Sequence, residues 1–167
     1  NGTNSHLLFN VVQRGLTAHT FLNSNSNNAE STDPNALQSF NDGGFQIGTS
    51  SELNENSSTY VAWCWKAGGA AVSNDDGAIT SQVSVNQEAG FSIVTYTGTG
   101  ADASVGHGLG TKPQVVWVKS RTHTDNWKVW FKGVTTDDSY SWQLDTNGAN
   151  YSGSDKWYNS PNGNDTT

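Results

Sequence analysis

Four aromatic residues in the last part of the sequence have the surroundings of sugar contacts: Trp142, Tyr151, Trp157 and Tyr158. They lie in a segment rich in Gly, Asn, Ser and Asp, with little apolar sequence nearby to bury them. An aromatic ring stacks on the apolar face of a sugar, and neighbouring polar side chains bond to its hydroxyl groups. Two interpretations stay open: these side chains contact a glycan, or protein covers them, either further parts of the polypeptide or a neighbouring subunit.

The same segment carries oxygen side chains at spaced positions, namely Asp145, Asn147 and Asn150. Such oxygen ligands suit Ca²⁺, but the loop lacks the glycine and the terminal glutamate of an EF-hand. We therefore favour a solvated loop and expect no cofactor, with Ca²⁺ as the alternative.

Histidine and cysteine residues are not arranged for metal binding or nucleophilic catalysis. None of the four histidines has a carboxylate or a second histidine at metal-ligand spacing. His107 lies in a glycine-rich turn, where we expect a local hydrogen bond. Cys64 lies between Trp63 and Trp65 with no base nearby, so we expect an inert, buried thiol.

Two pairs of adjacent carboxylates lie in loop-like sequence, Asp75 with Asp76 and Asp137 with Asp138. Adjacent strand residues point to opposite faces, so such pairs do not readily act on one sugar ring. No nucleophile elbow, phosphate-binding loop or dinucleotide fingerprint is present. We expect no catalytic residues and a protein that is not an enzyme.

Composition and charge exclude several classes of protein. The chain has 167 residues, a net charge of −7 and a sequence pI of about 4.8, which excludes the basic footprint of a nucleic-acid binder. No apolar run approaches the roughly 18 residues of a membrane-spanning helix. A single cysteine cannot form an internal disulfide. Seven Trp, five Tyr and six Phe exclude a disordered chain.

Alternating and β-branched patterns predict strands at residues 60–65, 91–96, 114–119 and 127–131. Residues 114–119 are apolar on both faces, as in a central sandwich strand. Trp63, Trp65, Trp117 and Cys64 lie in these patterns and are therefore predicted core residues. The only helix signal is a single turn that starts near Asp33 and Pro34.

Small and polar residues over 68–89 predict a linker between two β-sandwich repeats. Residues 1–67 would be the C-terminal part of a first repeat, and residues 90–167 the N-terminal part of a second. Residues 3–9 align with residues 124–130 at an offset of about 121 residues. Because both copies are incomplete, we expect the native polypeptide to extend past both ends.

Residues 60–74, which read YVAWCWKAGGAAVSN, resemble a stretch that recurs in structural and tail-fibre-like proteins of marine bacteriophages, especially cyanophages. Residues 90–100, and residues 105–110 followed by 113–119, are similar to the same family. The resemblance spans roughly residues 6–160 and is loose over residues 133–158. It implies tandem concanavalin-like β-sandwich modules on a virion, outside the cell.

These observations together predict an all-β fold, an antiparallel jelly-roll or concanavalin-like sandwich in incomplete tandem repeats. The expected function is a virion surface or tail-fibre module that binds a host-surface glycan without catalysis. The alternative is a purely structural capsid-decoration, tail or fibre-shaft component, and the third hypothesis is a polysaccharide depolymerase. Expected partners are a host glycan, other virion proteins and further copies in a homo-oligomer, with neither nucleic acid nor membrane insertion.

Overall fold

The computed structural model describes residues 5–10, 12, 19–132, 140–146 and 151–152. Within them lie one short helix, α1 (Ser51–Asn54), and twelve strands. The strands are β1 (Leu7–Leu8), β2 (Thr20–Asn23), β3 (Ser31–Thr32), β4 (Leu37–Asn41), β5 (Gly44–Ile47), β6 (Val72–Asn74), β7 (Ser81–Asn86), β8 (Phe91–Thr95), β9 (Val115–Val118), β10 (Lys128–Phe131), β11 (Tyr140–Ser141) and β12 (Tyr151–Ser152).

The strands form small sheets in the orders β1-β2-β3, β4-β5, β6-β7-β8, β10-β9 and β11-β12. Pairing is antiparallel between β1 and β2, β2 and β3, β4 and β5, β6 and β7, β7 and β8, and β11 and β12. The predicted fold class, an all-β antiparallel sandwich, is confirmed. In the part of the chain that the structure describes, no helix is long and apolar enough to cross a membrane.

Three of the four predicted strands are confirmed as β8, β9 and β10. The predicted strand at residues 60–65 is wrong, because this segment lies outside any strand. The predicted helical turn is also wrong. The Asp33 carboxylate accepts a hydrogen bond from the Asn35 N–H at 2.8 Å, and the resulting turn joins β3 to β4.

The described residues form two compact units. One contains those up to Trp63, together with residues 118–128 and 143–146. Its buried apolar side chains are those of Phe21, Leu22, Ala36, Leu37 and Trp127. Phe21 on β2 packs against Phe9 with ring centroids 5.5 Å apart. This unit therefore has its own apolar core, as an independently packed domain requires.

The other unit contains residues 64–117, 129–132, 140–142 and 151–152. Val83, Val129 and Trp130 are buried in it. Its main sheet is β6-β7-β8, with β7 in the centre. The predicted linker over residues 68–89 is therefore wrong, because this segment contains both β6 and β7. The tandem repeat itself stays a prediction.

The prediction of a core made of Trp63, Trp65, Trp117 and Cys64 is also wrong. The three tryptophans are 75%, 57% and 45% exposed, and Cys64 is exposed as well. Within the described part of the chain, residues 60–65 pair with no strand. β9 lies in a two-stranded sheet, where Val115 and Trp117 occupy its exposed positions. Other residues, notably Trp130, occupy the core instead.

Candidate functional site

The structure describes two of the four predicted sugar contacts. Trp142 is half-buried and exchanges backbone hydrogen bonds of 2.7 and 2.8 Å with Val129. Tyr151 lies on β12 opposite Ser141, the residue that precedes Trp142. Trp157 and Tyr158 lie outside the described residues. The register therefore brings Trp142 and Tyr151 to neighbouring positions, and their contact with a glycan stays a prediction.

Of the three residues predicted as alternative Ca²⁺ ligands, the structure describes Asp145. Its carboxylate accepts a 3.0 Å hydrogen bond from the backbone N–H of Trp127, so it holds the chain just before β10. Asn147 and Asn150 lie outside the described residues. Among the described residues, no group of three or more His, Cys, Asp or Glu side chains could hold a metal ion.

One face of the β6-β7-β8 sheet combines aromatic and polar side chains, of which Trp65 and Gln82 are exposed and the others half-buried. Residues that lie directly opposite each other in an antiparallel pair share a face, and side chains alternate along each strand. Asn86 lies opposite Phe91, Ser84 opposite Ile93, and Gln82 opposite Thr95. We call this surface the aromatic face and define it by Trp65, Gln82, Asn86, Phe91, Ile93 and Thr95.

Trp65 is the largest side chain of the aromatic face. Its indole stacks on the Phe91 ring, with centroids 6.1 Å apart and an interplanar angle of 17°. The indole nevertheless remains 57% exposed. Because Phe91 is the first residue of β8, the sheet holds one side of the ring pair in place.

The segment that follows Trp65 is bound closely to β7. The Asn86 side-chain amide donates to the Lys66 carbonyl at 3.2 Å, and the Ser84 hydroxyl donates to the Gly69 carbonyl at 2.7 Å. Gly68 lies against the Val85 backbone, where a Cβ atom would collide with the Val85 carbonyl oxygen. The position of the Trp65 backbone is therefore determined by contacts along β7, and glycine is required for the close approach.

Polar groups on the aromatic face are free to bind a ligand. The Gln82 amide and the Thr95 hydroxyl, on opposed strand positions, have no hydrogen-bond partner among the described residues. Phe91 and Thr95 are four residues apart, so the surface along β8 is about 13 Å long. Aromatic stacking with amide and hydroxyl groups can bind a sugar. Within the described residues of this face, no side chain is an acid or a base that titrates near neutral pH.

The predicted local hydrogen bond of His107 is confirmed. Its Nδ1 accepts a 3.1 Å bond from the Leu109 N–H. Burial lowers the pKa of His107, and the nearby charge of Asp76 partly opposes this shift. The residue therefore has a structural role in its glycine-rich turn.

The sequence prediction missed the aromatic face because it assigned Trp65 to the core. A useful signal was present in Gly68 and Gly69, which directly follow the aromatic run. Glycine beside a strand-like pattern indicates a close backbone approach. At Gly68 the chain does approach the Val85 backbone closely, and Trp65 three residues earlier is exposed.

The chain is therefore an all-β antiparallel sandwich protein. Its β6-β7-β8 sheet carries the aromatic face, on which Trp65 is exposed. The chain belongs to the DUF7483 family, described as a domain of unknown function, whose model matches residues 1–167. The comparisons find no curated protein and no solved structure that matches the chain.

Proposed function

We propose that the chain is a glycan-binding module that acts without catalysis, and that the aromatic face is its binding surface. The observation that carries this proposal is that Trp65 is held in place and yet exposed. Phe91 and the contacts of residues 66–69 position it, and it is 57% exposed. A ring held in place before binding loses little conformational freedom when a ligand stacks on it. Gln82 and Thr95 add hydrogen-bonding groups for sugar hydroxyls.

The resemblance to marine phage proteins supports a more specific proposal. The module would lie on a virion surface or tail fibre, outside the cell, and its ligand would be a host-surface glycan. Other virion proteins and further copies of the chain would be its partners. The segment of the sequence that carries Trp142, Tyr151, Trp157 and Tyr158 would be a second region for sugar or subunit contact.

A second candidate function is a purely structural virion component. Val61 and Trp63 are 74% and 75% exposed, and Tyr60 is 47% exposed. A run of exposed apolar side chains is typical of surfaces that another protein covers. This observation favours a capsid-decoration, tail or fibre-shaft protein whose aromatic side chains meet neighbouring subunits.

The test uses an array of bacterial surface polysaccharides, followed by titration of the best ligand with the whole chain. We expect Trp65→Ala to weaken binding between about fivefold and about 150-fold, since ring stacking contributes about 1–3 kcal/mol. Trp65→Phe keeps an aromatic ring and should retain most of the affinity. Gln82→Ala should cause a smaller loss.

The matched control is Trp117→Ala, which removes another exposed tryptophan that lies outside the aromatic face. It should bind like the unchanged chain, and near-UV circular dichroism would verify that every variant is folded. Equal losses in the Trp65 and Trp117 variants would reject the aromatic face as the binding surface. Absence of binding to any polysaccharide at high micromolar concentration would favour the structural function.

A further inference from the structure

A glycine-rich loop covers the face of β7 that is opposite to the aromatic face. We call residues 104–110 the glycine loop. The Ser81 hydroxyl donates to the Gly106 carbonyl at 3.1 Å, and the Gln87 amide donates to the Gly108 carbonyl at 2.8 Å. At the start of the loop, the Ser104 carbonyl accepts a 3.0 Å bond from the Ile79 N–H. The loop is therefore attached at three points, one on β7 and one on each side of that strand in the sequence.

The glycine loop shields apolar side chains from water. A Cβ atom on Gly108 would lie 3.3 Å from a methyl group of Val83 and from one of Val85. Val83 is only 2% exposed. Release of the loop would therefore expose the valine side chains of the central strand.

His107 lies in the middle of the loop, and its hydrogen bonding determines its protonation state. Because Nδ1 accepts the Leu109 N–H bond, the neutral ring carries its proton on Nε2. Nε2 is buried and has no hydrogen-bond partner among the described residues. The site therefore accommodates a neutral imidazole and offers no second acceptor for a cation.

We propose that His107 makes the glycine loop acid-sensitive, so that one proton taken up by Nδ1 releases the loop from β7. The incoming proton occupies the lone pair that accepts the Leu109 N–H, so that this hydrogen bond is lost and two donors face each other. The imidazolium then carries two N–H groups, of which Nε2–H has no acceptor. A buried charge with unsatisfied donors is relieved when the loop opens to water.

Among the described residues, Asp76 is the charged group that acts on the His107 ring. Asp76, in the turn after β6, favours the protonated ring. The strands β7 and β8 contain no titratable side chain, and Tyr96, which follows β8, is neutral in acid because burial raises its pKa further. Burial outweighs Asp76 and holds the pKa of His107 below its ordinary value of 6.5.

The direction of the pH dependence follows from this lowered pKa. At pH values between the pKa of His107 in the closed loop and its ordinary pKa, the open or unfolded chain binds more protons than the closed one. Neutral His107 therefore makes its full contribution to the stability of the closed loop at pH values above its ordinary pKa. This contribution is lost as the pH falls towards the pKa of His107 in the closed loop. This inference does not depend on glycan binding, because it concerns the opposite face of β7.

The experiment measures the hydrogen-exchange protection of the Leu109 amide between pH 7.5 and pH 5, corrected for intrinsic exchange. In the unchanged chain we expect protection to fall by about tenfold, because the Leu109 amide loses its hydrogen bond when the loop opens. His107→Asn should remove this fall, because an Asn side-chain oxygen can accept the N–H two residues on and does not titrate. His6→Asn, which removes an exposed histidine, should behave like the unchanged chain.

A second measurement keeps the proposal testable if His107→Asn does not fold. A ¹⁵N NMR titration of the unchanged chain would report the tautomer and the pKa of the His107 ring. We expect a proton on Nε2 in the neutral ring and titration below the ordinary value. Leu109 protection that does not change with pH, or titration of His107 at or above the ordinary value, would overturn the proposal.

Discussion

The indole N–H of Trp127 donates a 2.8 Å hydrogen bond to the backbone carbonyl of Asn23, 104 residues earlier in the sequence. Asn23 is the last residue of β2, and Trp127 immediately precedes β10. Trp127 is only 5% exposed, and its backbone N–H also donates to Asp145. One residue, through its side chain and its backbone, thus connects three distant segments within the same unit.

Trp127→Phe should destabilise the protein by about 2 kcal/mol. The change leaves the part-buried Asn23 carbonyl without its donor and creates a cavity where the larger ring was. Urea unfolding at neutral pH, followed by circular dichroism, measures the loss. The matched control is Trp117→Phe at a 45% exposed position, where we expect a change within about 0.5 kcal/mol. Equal losses at the two positions would contradict the assigned role of Trp127.

Gly68→Ala should destabilise the protein by about 2 kcal/mol or more, because its Cβ would collide with the Val85 backbone, which cannot move as a side chain does. The variant should also bind glycan more weakly, because residues 65–69 position the Trp65 indole. Thermal unfolding and the glycan titration check the two effects. Gly98→Ala is the control, because nothing lies within 4 Å of that Cβ position. A Gly68 variant as stable as the Gly98 variant would refute the close approach.

Asp33 should contribute to stability only where its carboxyl group is ionised. The Ser50 hydroxyl and the Asn35 N–H donate to the carboxylate and hold the pKa of Asp33 below its ordinary value of 3.8. This contribution to stability is therefore present at pH values above the ordinary pKa of Asp33. It is lost as the pH falls through the pKa that Asp33 has in the folded protein. The unfolding free energy of Asp33→Asn should accordingly fall less steeply between pH 5 and pH 2 than that of the unchanged chain.

The control for this experiment is Asp42→Asn, in the exposed turn between β4 and β5. The Asp42 variant should keep the acid dependence of the unchanged chain. Parallel pH profiles for the unchanged chain and the Asp33 variant would show that the Asp33 hydrogen bonds add nothing to acid stability.

Local patterns in the sequence were sufficient to predict β8, β9 and β10, and with them the all-β fold. Alternation of apolar and β-branched residues, as in Phe91, Ile93 and Thr95, encodes a strand without reference to the rest of the chain. The hydrogen bond of His107 was also predictable, because its partner Leu109 is two residues away. In both cases the interacting groups are near neighbours in the sequence.

The aromatic face and the central position of β7 were decided only by the tertiary structure. Ser81 and Ser84 look like linker residues, yet each is buried because its hydroxyl meets a carbonyl of a distant segment, at Gly106 and Gly69. Trp65 looks like a core residue, yet it is 57% exposed, and the residues that follow it, 66–69, pack against β7. Burial depends on which distant groups approach, and residue type alone does not specify those partners.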